Sequence, residues 1–153
     1  MVRLGVIAAL ILLATSTLPA KADLVAAVLG CTGDPCVVRR NPGGIAQVFI
    51  AAADAINGGA RKRVKIDGVC ASACAILADR ARRRVCVTNN AVFAFHMGRV
   101  MRFDGGQMYA TGIFRRPQHS RDIRTYVQEH GGFPTEGFVV MRARDARAYW
   151  RSC

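Results

Sequence analysis

The stretch that most constrains this chain is a strand-like run that breaks at Gly68-Val69-Cys70-Ala71-Ser72-Ala73-Cys74. Val64-Lys65-Ile66 ahead of it reads as a strand, and the residues from Ser72 to about Arg82 read as a helix. A strand that becomes a helix at a serine exposes the hydroxyl. It also aims the first helical N–H groups at whatever bonds to that hydroxyl. Val92-Phe93-Ala94-Phe95 then reads as a second strand, and it delivers His96, 24 residues after Ser72. Serine with histidine is the smallest set that makes an activated oxygen nucleophile.

Strands and helices alternate along the rest of the chain. Leu24 to Leu29 is a short apolar run, and Asn41-Pro42-Gly43-Gly44 is a sharp turn. Ile45 to Ile56 reads as an apolar helix closed by Asn57-Gly58-Gly59. Arg63 to Ile66, Arg84 to Val87 and Val92 to Phe95 read as strands. Arg99 to Arg116 is irregular, with Asp104-Gly105-Gly106 marking a hairpin or a flexible loop over the site. Helices are expected over Gln118 to His130 and over Arg142 to Trp150. This alternation predicts an α/β layer with right-handed crossovers, in one domain over 23–153.

The first residues have the make-up of a secretory leader. Arg3 precedes the apolar run Val6 to Leu13, and Ala20-Lys21-Ala22 offers small residues for cleavage before Asp23. Residues 1–22 are therefore expected to be a signal peptide, and the remainder an exported, periplasmic or secreted protein. The whole chain carries a net charge of +12, with 19 Arg against 3 Lys. Such a charge predicts non-specific contact with anionic polymer or lipid surfaces. Scattered basic residues, with 7 Phe, 3 Tyr and 1 Trp and no recognition motif, argue against a specific nucleic-acid partner.

All six cysteines, Cys31, Cys36, Cys70, Cys74, Cys86 and Cys153, follow the leader. An even number in an exported chain reads as disulfides, with fifteen pairings open. Gly33-Asp34-Pro35 makes Cys31 with Cys36 the easiest pair. The other four are not paired by the sequence. Cys70 and Cys74 bracket Ser72, so a disulfide there would clamp the turn. The competing use is a zinc site of Cys70, Cys74, Cys86 and His96, whose spacing lacks the usual close ligand pair. No metal or cofactor is expected.

Asn41-Pro42-Gly43-Gly44, Gly68-x-x-x-Ser72-Ala73 and Phe95-His96, in that order and spacing, resemble the proteolytic subunit of Clp protease, in the crotonase-like superfamily. The small exported Clp-protease-like proteins, with cysteines around the serine, are the nearer resemblance. It covers about residues 37–100, with weaker similarity through Tyr149. It implies a crotonase-like ββα superhelix with a shortened N-terminus, and the site at the C-terminal ends of parallel strands. It implies Ser72 as nucleophile, His96 as general base, and Gly44 and Ala73 N–H as oxyanion donors. The family's acid falls near Phe138, which cannot orient an imidazole. Glu136 is the nearest substitute, and Asp145 lies further on. The short N-terminus argues against a processive barrel or an ATPase partner; an oligomer stays open.

Two functions follow, from different classes. One is ATP-independent hydrolysis of a peptide or small ester. The other is a catalytically inactive, disulfide-stabilised peptide-binding module. Each singled-out residue also has a plainer role. Ser72 could be only a helix N-cap. His96 could be a core residue, and His119 and His130 could lie on the polar face of their helix. Glu136 and Asp145 could be solvated surface. Arg80, Arg82, Arg83 and Arg84 could simply complement a helix C-terminus.

Overall fold

Strand β2 (Val64–Ala71) organises the sheet of this computed structural model, which describes residues 21–60, 63–113 and 118–153. Along one edge it pairs in parallel with β1 (Cys36–Asn41). Its other edge is divided. β3 (Val85–Val87) pairs in parallel with Val64–Ile66, and β4 (Val92–Phe95) pairs in parallel with Val69–Ala71. The sheet thus forks beyond Ile66 and curls. β8 (Arg151–Ser152) extends it beside β3, and β7 (Val139–Arg142) runs antiparallel to β4. The fold is α/β.

Asp67 closes the fork. Its carboxylate accepts Thr88 Oγ1 at 2.7 Å and Asn90 Nδ2 at 3.2 Å, both from the β3–β4 connection. These bonds, Thr88 first, hold its carboxyl below the usual value. Next to it, β2 carries one more residue than β1 across Val38–Arg40. Gly68 sits in that bulge. A Cβ there would lie 2.0 Å from the Arg39 carbonyl oxygen, so no larger residue lets β1 approach.

Helices α1 (Lys21–Leu29), α2 (Ala46–Asn57) and α3 (Ala73–Arg80) pack on the sheet, and a 3₁₀ turn follows at Arg82–Arg84. Val25, Ile56, Ile66, Leu77, Phe93 and Ile123 are fully buried in one core. Trp150 stacks on Phe93 at 4.2 Å and donates its indole N–H to the Ala78 carbonyl at 2.9 Å. That bond satisfies the one polar atom of the largest buried side chain.

Several sequence expectations change in the structure. β2 runs five residues past Ile66, because β1 and β4 both continue to pair with it. β1 and β8 were not expected: β8 has only two residues, and β1, ending in Arg39-Arg40-Asn41, is held by its pairing with β2 rather than by a strand pattern of its own. The expected helix over Arg142–Trp150 is reduced to α5 (Ala143–Ala146): Arg142 ends β7 beside β4, and past Ala146 the chain tightens into turns, with Ala148 N–H bonding the Asp145 carbonyl and Tyr149 N–H the Ala146 carbonyl. The expected helix from Gln118 begins later, as α4 (Arg121–Glu129). Buried Asp79 explains the delay: it accepts Ser120 N–H at 2.7 Å and Ser120 Oγ at 2.8 Å, and pairs with Arg82. Burial pushes the Asp79 carboxyl up, but His119, Ser120 and Arg82 outweigh it and hold the carboxyl low. Arg99 to Ile113 is a hairpin, β5 (Arg99–Asp104) and β6 (Gln107–Ile113). Gly105 and Gly106 form its two-residue turn at φ +55° and +83°, a combination that favours glycine.

The six cysteines form Cys31–Cys36, Cys70–Cys74 and Cys86–Cys153. The alternative zinc set is therefore not available, since its three sulfurs are already bonded. Disulfides of this kind are typical of proteins in oxidising compartments, which accords with export. Of the expected signal peptide, 1–20 lies outside the described residues, and Lys21 and Ala22 open α1. Among the described residues no helix is long and apolar enough to cross a membrane.

Candidate functional site

Ser72 joins β2 to α3 and is the one non-glycine residue with positive φ among those described. Its φ of 53° and ψ of −122° are strained for an L-residue, and such strain concentrates at functional sites. The backbone around it holds the strain. Ser72 N–H donates to the Ala94 carbonyl at 2.8 Å, and Ser72 C=O accepts from Ala75 and Ile76 at 3.0 and 3.4 Å. The Cys70–Cys74 disulfide spans the turn, with 5.2 Å between its α-carbons. Both sulfurs are buried, so the clamp is part of the core.

The hydroxyl does not cap its helix. Ser72 makes no side-chain cap bond, and its Oγ lies 2.7 Å from His96 Nε2. The plain N-cap role is thereby excluded. Parallel pairing of Ala71 with Ala94 sets this contact: Ser72 directly follows the end of β2, and β4 runs one residue further, to Phe95, before His96. For Nε2 to accept the serine proton the imidazole must be neutral. Burial, then the charge of Arg99, pushes the His96 pKa down against a backbone hydrogen bond with Met97. The shift therefore favours the neutral ring, whose Nε2 can accept.

The pH profile of any Ser72-dependent reaction should show this. kcat/KM is expected to be flat above a midpoint lying below about pH 6.5, and to fall about tenfold per pH unit beneath it. Arg99→Gln removes a charge that disfavours the imidazolium, so the midpoint should move to higher pH. A midpoint unchanged in Arg99→Gln would separate Arg99 from the base.

Two stretches of backbone near this turn carry N–H groups that could act as donors. Ala73 N–H is the first of α3 and has no intrahelical acceptor. The Pro42-Gly43-Gly44 turn contributes in two parts. Gly43, at φ +87°, packs on Ser72: a Cβ there would sit 2.6 Å from the Ala71 carbonyl, 2.7 Å from Ser72 Cβ and 2.8 Å from Ala73 N. Its N–H is already given to Asn41 Oδ1 at 2.9 Å. Gly44 N–H has no acceptor among the described residues. The close approach belongs to Gly43, which sequence reasoning passed over, and the free donor to Gly44. Asn41, itself buried and anchored to the Val28 carbonyl at 2.8 Å, sets the turn.

No carboxylate stands beside His96 among the described residues. Glu136 is exposed and is not brought to the imidazole, and Asp145 is on α5, paired with Arg144. Assigning Glu136 as the third member is thus corrected. The residue against the ring is Phe138, edge-on at 5.1 Å between centroids. The loop carrying it is tied to the histidine segment: Met97 N–H donates to the Pro134 carbonyl at 2.8 Å, and Arg99 to the Thr135 carbonyl at 3.0 Å. His96 is therefore oriented by packing and by the Met97 backbone. The other two histidines lie apart: His119 is buried between Phe95 and Phe133, and His130 stacks on Tyr126. His119 was expected on a surface; its ring is drawn inward by the two phenylalanines.

Comparison with family models and with curated protein sequences gives no match for this chain.

Proposed function

We propose that the protein is an exported, ATP-independent serine hydrolase that cleaves a peptide or small ester by acyl transfer, on a crotonase-like, Clp-protease-like framework. The observation that carries this reading is the 2.7 Å contact between a strained, non-capping Ser72 hydroxyl and the Nε2 of a neutral His96. Ser72 Oγ attacks the carbonyl carbon while its proton passes to His96 Nε2. The carbonyl oxygen becomes an oxyanion, held by Ala73 and Gly44 N–H, each typically worth about 2.7–4 kcal/mol. The imidazolium then protonates the leaving group as its bond to carbon breaks. A water next attacks the acyl-enzyme, His96 takes its proton, and Ser72 leaves reprotonated.

A fluorophosphonate probe tests this directly. The oxidised protein should be labelled at Ser72, and Ser72→Ala should show no labelling while keeping its fold by circular dichroism. A folded wild type that stays unlabelled would instead select the inactive peptide-binding module, which the phenylalanine in the acid's place favours.

A further inference from the structure

One face of the sheet around β1, β2 and β3 is buried, and the other is cationic. Cys36 and Val38 of β1, Val64 and Ile66 of β2, and Val85 and Val87 of β3 are buried in the core with the helices. Strand alternation turns the residues between them to the opposite face. Register lines these residues up: Val37 pairs with Lys65, Lys65 with Cys86, and Cys86 with Arg151. Lys65 and Arg151 therefore stand in one row across β2, β3 and β8, about 10 Å apart at their α-carbons.

Two more cations join them. Arg63 extends the ladder, since its carbonyl accepts Cys36 N–H at 3.0 Å, and it lies two positions before Lys65. Arg39 lies two positions after Val37, and the charges of Lys65 and Arg39 both bear on Asp67. Arg39, Arg63 and Arg151 are exposed and Lys65 is half-buried. None of the four forms an ion pair among the described residues. Asp67 is the one acid in these four strands, and its carboxylate is taken by Thr88 and Asn90.

Charge selects an anionic partner, and shape selects its kind. A second copy presenting the same face would be repelled. Single-stranded nucleic acid is held by aromatic side chains stacked on its bases, and β1, β2, β3 and β8 contain no aromatic residue. Four adjoining strands span about 14 Å, too broad for the roughly 12 Å of a DNA major groove. A flat cationic face instead matches the phosphates arrayed at the surface of an anionic bilayer. Arginine, three of the four cations, binds a phosphate with both arms of its guanidinium.

We infer that the face formed by Arg39, Arg63, Lys65 and Arg151 docks the protein on a bilayer surface that carries anionic phospholipid. Docking is independent of hydrolysis. Lys65 precedes Ser72 along β2 by a span of roughly 20 Å, so the face is separate from the candidate site.

The test is co-sedimentation of the oxidised protein with vesicles. Wild type and Ser72→Ala should bind phosphatidylcholine mixed with phosphatidylglycerol equally well, and phosphatidylcholine alone scarcely at all. Lys65→Gln/Arg151→Gln should lower the partition coefficient about 25-fold, at about fivefold per cation. Arg39→Gln/Arg63→Gln should repeat that loss, which guards against one variant that misfolds. Arg102→Gln/Arg121→Gln removes the same charge from exposed positions on β5 and α4, and should cost less than about threefold. Equal losses in all three double variants would overturn the inference, because net charge alone would then explain binding. So would equal binding to both kinds of vesicle, or binding to neither. Polyphosphate or single-stranded DNA, bound through Lys65 and Arg151 while vesicles are ignored, would give the face to a soluble polyanion and overturn it too.

Discussion

His96→Ala is expected to slow fluorophosphonate labelling of Ser72 by about 10²- to 10⁴-fold, the usual worth of a positioned general base. In the proposed reaction the Ser72 hydroxyl gives its proton to Nε2 as the bond forms, and among the described residues no other titratable side chain lies within hydrogen-bond distance of Oγ. Alanine removes the base and leaves the Ala73 and Gly44 donors in place, so residual labelling should persist above that of Ser72→Ala. The same experiment can probe the missing acid. Phe138→Asp would put a carboxylate where the phenyl edge now meets the imidazole. A carboxylate there favours the imidazolium, so labelling should accelerate and its acid limb should move to higher pH. Equal labelling rates in wild type and His96→Ala would detach the histidine from the chemistry.

Removing the Cys86–Cys153 disulfide should destabilise the fold by about 4 kcal/mol. That is the chain-entropy value for a loop closed across a separation of 67 residues. Against a total of roughly 5–15 kcal/mol this is a large fraction. Besides this crosslink, the segment is held by the short parallel ladder of β8, two exposed residues, with β3, and by Cys153 N–H donating to the Val87 carbonyl at 3.1 Å. Trp150, the largest buried side chain, immediately precedes them, so fraying of the tail loosens the core at Phe93. Urea unfolding of Cys86→Ser/Cys153→Ser should show a lower midpoint. A shift below about 1 kcal/mol would mean that β8 pairing and Trp150 packing hold the tail unaided.

Local chemistry alone determined much of this protein. A serine among small residues at a strand-to-helix break, a strand ending in histidine, Gly105-Gly106 at a hairpin tip and Cys31 close to Cys36 all act within a few residues. Their geometry follows from backbone preferences that the sequence carries. Tertiary structure decided what distant segments share. It set parallel pairing of β2 with β4, which brings Ser72 to His96, and it put Phe138 rather than Glu136 at the imidazole. It also paired Cys86 with Cys153, split the glycine turn into a packing residue and a donor, and set Lys65 and Arg151 in one row of the sheet. Those outcomes depend on register and on how helices settle on a curled sheet. Register is fixed by the summed burial of residues far apart in the chain, and no local pattern records that sum.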